Sequence, residues 1–177
     1  MLAILFCCAA ALPPAAASQE RDAPEYELKA AFLYNFATFV EWPAGSFPGP
    51  DSPFTIGVIG QDPFSPSLET TLQGKTVGGR RIEVRRSSDV KELKVCHLLF
   101  VPASEGERVP NILEALRGTS ILTVGESPGF AAQVGCVNFF IEGKRVKFEI
   151  NPGAAKRANL KVSSKLLRLA RVVEGKD

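Results

Sequence analysis

The sequence predicts an α/β fold: a single domain built on a mainly parallel sheet flanked by helices, with a C-terminal antiparallel hairpin. Three observations carry this. Continuous apolar runs of strand length at 54–60, 96–101 and 120–124 read as strands buried on both faces. Stretches with helical spacing at 63–73 and 109–117 separate them, and strands alternating with helices mark βαβ units. Near the end, the runs 136–141 and 145–150 are joined only by Glu142-Gly143-Lys144, a connection fit for a tight hairpin.

The elements follow in order. Residues 1–17 are uncharged and end in small residues around Pro13-Pro14-Ala15-Ala16-Ala17. They are too short and too weakly flanked for a bilayer span and are expected to be a cleaved signal peptide, followed by a flexible N-terminus at 18–25. Leu28, Phe32, Phe36 and Phe39, with Leu33, Ala37 and Val40 beside them, predict an amphipathic helix over 26–41 that Trp42-Pro43 stops. Its aromatic stripe is read as core. A Pro/Gly/Ser-rich link at 44–53 leads to the first strand, and the helix at 63–73 turns Leu68 and Leu72 inward. Residues 81–86 alternate as a strand exposed on one face. Right-handed crossovers give the four parallel strands the order 2-1-3-4. One last helix is expected over 152–172, with Leu160, Leu166, Leu167, Leu169 and Ala170 to bury and Asn159 as a place where it breaks. The domain therefore spans 26–173, with 174–177 as a tail.

Composition narrows the function. A chain of 177 residues, 45% hydrophobic with a formal charge of +2, supports one sizeable core and no second domain. The charge is lopsided: residues 144–176 hold ten of the 21 Lys and Arg against Glu149 and Glu174. Aromatics are not interleaved with these charges as a nucleic-acid platform requires, so nucleic acid is not an expected partner. Without Cys7 and Cys8 of the signal, only Cys96 and Cys136 remain, a candidate disulfide in an oxidising compartment and equally a pair of buried thiols.

Residues capable of chemistry are few. His97, the only histidine, adjoins Cys96 in an apolar strand run, where successive side chains point to opposite faces. No third and fourth metal ligands accompany them, so neither a metal site, nor a cofactor, nor a catalytic constellation is expected. Ligands of open parallel sheets settle at the strand carboxyl ends, here Gly60-Gln-Asp-Pro-Phe64 and Pro102-Ala-Ser-Glu105. Asp62 lies there, though it suits a helix cap as well. No G-x-G-x-x-G or Walker lysine accompanies it. Glu149 alternates away from Phe148 and Ile150 as a partner or pocket acid, while Asn151 is placed to cap the next helix.

Several motifs in order resemble one family. The run 29–43 (KAAFLYNFATFVEWP), Gly60-Gln-Asp-Pro-Phe64, Cys96-His-Leu-Leu-Phe100, the run 121–130 (ILTVGESPGF), Asn138-Phe-Phe, Lys147-Phe-Glu-Ile-Asn151 and the run 160–171 (LKVSSKLLRLAR) are similar to the YfiR family of exported bacterial proteins. The resemblance implies a dimeric periplasmic regulator without enzymatic activity. Such a protein restrains an inner-membrane diguanylate cyclase through its periplasmic sensor, is sequestered by an OmpA-like outer-membrane lipoprotein, and lowers cyclic-di-GMP and biofilm formation. It also implies partner or ligand contact around Phe148, Glu149 and Asn151, and redox sensitivity through disulfides. Relatives often carry a cysteine in the first strand where this chain has Gly57 or Val58, which leaves Cys96 without that partner. The competing expectation is a periplasmic small-molecule sensor with its ligand at the Asp62/Phe64 edge.

Overall fold

The computed structural model describes residues 16–175, with side chains from residue 24 onward. The elements are α1 (Ala16–Phe39), β1 (Val40–Glu41), β2 (Phe54–Ile59), α2 (Ser67–Leu72), β3 (Thr76–Val77), β4 (Arg80–Ser87), β5 (Leu98–Val101), α3 (Val109–Ala115), β6 (Leu122–Gly125), α4 (Phe130–Gln133), β7 (Val137–Glu142), β8 (Arg145–Ile150), α5 (Pro152–Arg157), β9 (Lys161–Val162), α6 (Ser164–Leu167) and β10 (Arg171–Val172). Eight strands form one sheet in the order β10-β8-β7-β6-β5-β2-β4-β3. The parallel core β4-β2-β5-β6 is the expected 2-1-3-4 order. It continues parallel into β7, and β8 folds back antiparallel with Glu142 opposite Arg145. Gly143 and Lys144 take the turn at φ 56° and 64°, the left-handed backbone that a two-residue hairpin loop needs.

The apolar runs are buried on both faces because two layers cover them. Leu98 and Phe100 of β5 join α1 and α2 in one cluster, while Leu99 and Val101 join α3 in the other. β4 shows the expected half-buried alternation, with Ile82 and Val84 packed against the first cluster. Phe130 explains the Pro-Gly-Phe turn. Gly129 is left-handed at φ 77°, and the fully buried Phe130 ring lies against Gly125 and Gly135, where any Cβ would collide with it.

The structure corrects several expectations. The α1 stripe is rotated: Ala30, Leu33, Phe36, Ala37 and Val40 are buried, whereas Leu28 and Phe39 are 45% and 38% exposed. The i, i+3, i+4, i+7 set that begins at Leu33 lies wholly within the main core cluster, while Phe32 and Phe36 together meet Phe139 and Phe148 of the hairpin at its edge. Residues 18–25 are not a separate flexible leader but belong to α1, as Ser-Gln-Glu-Arg at 18–21 extends a helix that is already nucleated. The signal-peptide reading falls, apart from residues 16 and 17, outside the described residues.

The single helix expected over 152–172 is two short helices with strands between and after them. Asn159 at φ 57° ends α5, and Lys161-Val162 then pairs antiparallel with β1. Ser163 caps α6 by accepting the Leu166 N–H, and Arg171-Val172 joins the sheet beside β8. Leu169, expected in the core, is 75% exposed.

Candidate functional site

Strand alternation separates the residues of the Phe-Glu-Ile-Asn segment. Phe148 and Ile150 face α1; the Phe148 ring lies 5.3 Å from Phe32 and 5.0 Å from Phe36, so Phe148 is a core residue. Asn151 is 1% exposed and internally occupied. Its Oδ1 accepts the Ala154 N–H at 2.9 Å and caps α5, while its Nδ2 donates to the Ala131 carbonyl at 2.8 Å. The half-buried Glu149 turns to the face opposite Phe148. There it accepts a hydrogen bond from Asn138 Nδ2 at 3.2 Å, and Asn138 Oδ1 is left buried with no donor. An unsatisfied buried acceptor costs about 1–3 kcal/mol. Sequence reading missed Asn138 as a site residue because only the β7–β8 register, Asn138 opposite Glu149, brings it there.

Beside this hairpin runs a groove of about 480 Å³ lined by Phe32, Phe140, Val146, Phe148, Leu169 and Arg171. The Arg171 guanidinium sits 4.1 Å over the Phe140 ring and donates to Glu142 at 2.8 Å. Lys147 also pairs with Glu142 and holds its carboxyl below the usual carboxylate range. Ile141, Leu169 and Val172 are more than half exposed around the groove, within the basic C-terminal third. Apolar side chains left in water among cations form a surface suited to an apolar, acidic partner.

Asp62 lies elsewhere, separated from Glu149 by β5, β6 and β7. Its Oδ1 accepts the Phe64 N–H at 2.8 Å and its Oδ2 accepts from Arg86 at 2.7 Å, so it both caps the turn and anchors β4. It borders a cleft of about 910 Å³ at the carboxyl ends of β2, β5 and β6, where the strand order reverses. The polar centre of this cleft is Glu126. Glu126 accepts the Ala103 N–H at 2.9 Å, the Tyr26 hydroxyl at 3.1 Å and the buried Lys29 ammonium at 2.6 Å. Lys29 also meets Glu25 at 2.5 Å. The sequence offered no signal for this pair, since 97 residues separate its members.

The remaining chemistry-bearing groups are structural. His97 stacks between Phe47 (4.4 Å) and Phe54 (5.0 Å). Its Nδ1 accepts the Thr55 N–H at 3.0 Å, which places the proton on Nε2, facing the Ser46 carbonyl at 3.1 Å. Burial pushes its pKa below the ordinary value. The sign follows from linkage: the unfolded chain takes up the His97 proton near pH 6.5, the fold only at lower pH, so this stability is present above about 6.5 and lost below it. The melting temperature is expected to fall between pH 7 and 5, less steeply in His97→Gln; identical slopes would remove His97 as the cause.

Cys96 and Cys136 are both free and buried, and they belong to separate core clusters. Burial raises both thiols, Cys96 to about 11, which makes them poor nucleophiles. A Cβ at Gly57 would lie 2.8 Å from Cys96 Sγ, so the first strand passes directly against this thiol. Among the described residues no three His, Cys, Asp or Glu side chains group as metal ligands. Among the described residues no helix is long and apolar enough to cross a membrane.

Residues 26–171 match the YfiR/HmsC-like family. This chain belongs to that family. No curated protein matches the sequence. YfiR/HmsC-like proteins are periplasmic and regulatory rather than catalytic, and they act in diguanylate cyclase signalling. The match covers the sheet up to Arg171 and both groups of candidate residues, from Tyr26 of the cleft to Arg171 of the groove.

Proposed function

We propose that this protein is a periplasmic regulatory binding protein, exported by a cleaved signal peptide. It holds an inner-membrane diguanylate cyclase inactive through the cyclase's periplasmic sensor region, lowering cyclic-di-GMP and biofilm formation, and it performs no catalysis. An OmpA-like outer-membrane lipoprotein competes for it, since a protein held by one partner is withdrawn from the other. The active form is a homodimer. The observation that carries the reading is family membership together with the exposed apolar and basic groove along the terminal hairpin. Glu149→Lys is expected to weaken cyclase binding roughly tenfold while leaving the protein folded, because it removes the carboxylate that accepts from Asn138 and with it the ordered end of the hairpin. Unchanged affinity in a pull-down titration would remove Glu149 from the interface.

The cleft at the switch point favours a second reading, a small-molecule sensor without a cyclase partner. A ligand that binds only the folded state must raise its melting temperature, so thermal shifts across a metabolite panel separate the two.

A further inference from the structure

β4 runs from Arg80 to Ser87, but its outer neighbour β3 pairs only with Arg80 and Arg81. Among the described residues no strand pairs with the outer side of Ile82 to Ser87. The orientation of that backbone is set at both ends. Val77 and Arg80 close the Gly78-Gly79 turn, with both glycines left-handed at φ 57° and 78°, so Arg80 exchanges its backbone bonds with β3 and every second residue after it faces the same way. At the far end the Ser87 carbonyl points inward and accepts the Gly60 N–H at 3.0 Å. The N–H and C=O groups of Ile82, Val84 and Arg86 therefore project from the sheet edge with no strand to receive them.

The side chains alternate. Ile82 and Val84 pack against the first cluster, which turns Glu83 and Arg85 to the opposite face. The Glu83 side chain is 42% exposed and meets Arg81 in a surface pair that contributes little. Arg85 is exposed, with no carboxylate partner among the described residues.

Charges on a free edge normally guard it against pairing; here they select what can pair. A second copy laid antiparallel on this edge is related by a two-fold axis that passes through one residue. An axis at Glu83 or Arg85 sets like charges directly opposite each other, which is destabilising. One at Ile82 needs the positions that β3 already occupies, and one at Arg86 runs past the end of β4. Only an axis at Val84 places Glu83 opposite Arg85 of the second copy on both sides, in the non-hydrogen-bonded positions where Cα atoms approach to roughly 4.5 Å.

We propose that the β4 edge pairs antiparallel with the same edge of a second copy about a two-fold axis at Val84, joining the two sheets into one. This rests on the homodimer reading above and assigns its interface. β4 and β10 lie toward opposite edges of the sheet, so both hairpin grooves stay open to partners in the dimer. One short strand buries less than a standard interface of about 1,600 Å², so association is expected on the order of tens of micromolar.

Sedimentation equilibrium of the protein, residues 18–177, tests the pairing through charge. Glu83→Arg opposes two cations and Arg85→Glu two anions, and each should weaken dimerisation about tenfold. An equimolar mixture of the two variants restores opposite charges at both pairs and should regain the parent's association, a recovery that a fold defect would not produce. If one variant fails to fold, the other's dissociation constant against the parent's carries the test. A dimer indifferent to both substitutions, or a mixture that does not recover, would overturn this interface and leave the homodimer reading standing. A parent that stays monomeric at about 0.5 mM, well above the expected constant, would overturn both.

Discussion

Replacing Glu126 by alanine is expected to destabilise the protein by about 3–5 kcal/mol, the cost of leaving one member of a buried ion pair without the other. For a domain of this size that is a fall in melting temperature of roughly 10 °C. Lys29 is 4% exposed, and its ammonium bridges Glu126 and Glu25. Glu25 keeps part of the compensation, which places the effect toward the lower end of the range. The Ala103 N–H and the Tyr26 hydroxyl lose their Glu126 acceptor as well. The double variant Lys29→Met, Glu126→Leu should regain much of the loss, because it removes both charges from an apolar setting. Thermal melts of the two single variants and the double variant decide the matter. A Glu126→Ala protein melting within a degree or two of the parent would show that the ammonium is adequately held without this partner.

Phe36→Ala should cost a similar amount, about 3–5 kcal/mol, by opening a cavity where the α1 face meets the hairpin. Phe36 is fully buried, with ring centroids 5.0 Å from Phe148 and 5.6 Å from Phe139. Phe39, three residues on and 38% exposed, should cost clearly less on the same substitution. Urea denaturation of the pair checks this. Equal losses would mean that α1 presents the face expected from the sequence rather than the rotated one.

That contrast shows where the sequence was legible. The order of the parallel strands follows from apolar runs alternating with helical spacing, both local patterns, and the hairpin follows from a short polar connection between alternating strands. The face that α1 buries is not local. Leu28, Phe32, Phe36 and Phe39 and the set beginning at Leu33 both satisfy a 3.6-residue period, and packing into one cluster with distant strands chooses between them. The C-terminal stretch misled for the same reason. Leucines at three- and four-residue spacing look helical, yet Lys161-Val162 and Arg171-Val172 are claimed by β1 and β8.

The candidate site divides likewise. Local rules identified Asn151 as a cap and Asp62 as a turn-capping carboxylate, and alternation turned Glu149 away from its neighbours. Asn138, the Lys29–Glu126 pair and the Phe140–Arg171 stack arise from register and chain crossing, which no spacing rule reaches. Phe148 was assigned to the contact region through the family resemblance. Its ring is 5% exposed and lines the bottom of the groove rather than projecting from it.

The central claim is that the groove beside the terminal hairpin is the face that holds a cyclase. It is tested most directly by calorimetric titration of the protein, residues 18–177, with the periplasmic region of its host's diguanylate cyclase, in parent and Leu169→Glu forms. Leu169 is 75% exposed at the groove, so the substitution should leave the melting temperature unchanged. The account predicts saturable binding by the parent and at least about tenfold weaker binding by Leu169→Glu, as an apolar contact is replaced by a desolvated charge. Equal affinity of the two forms, or no binding by the parent, would contradict it.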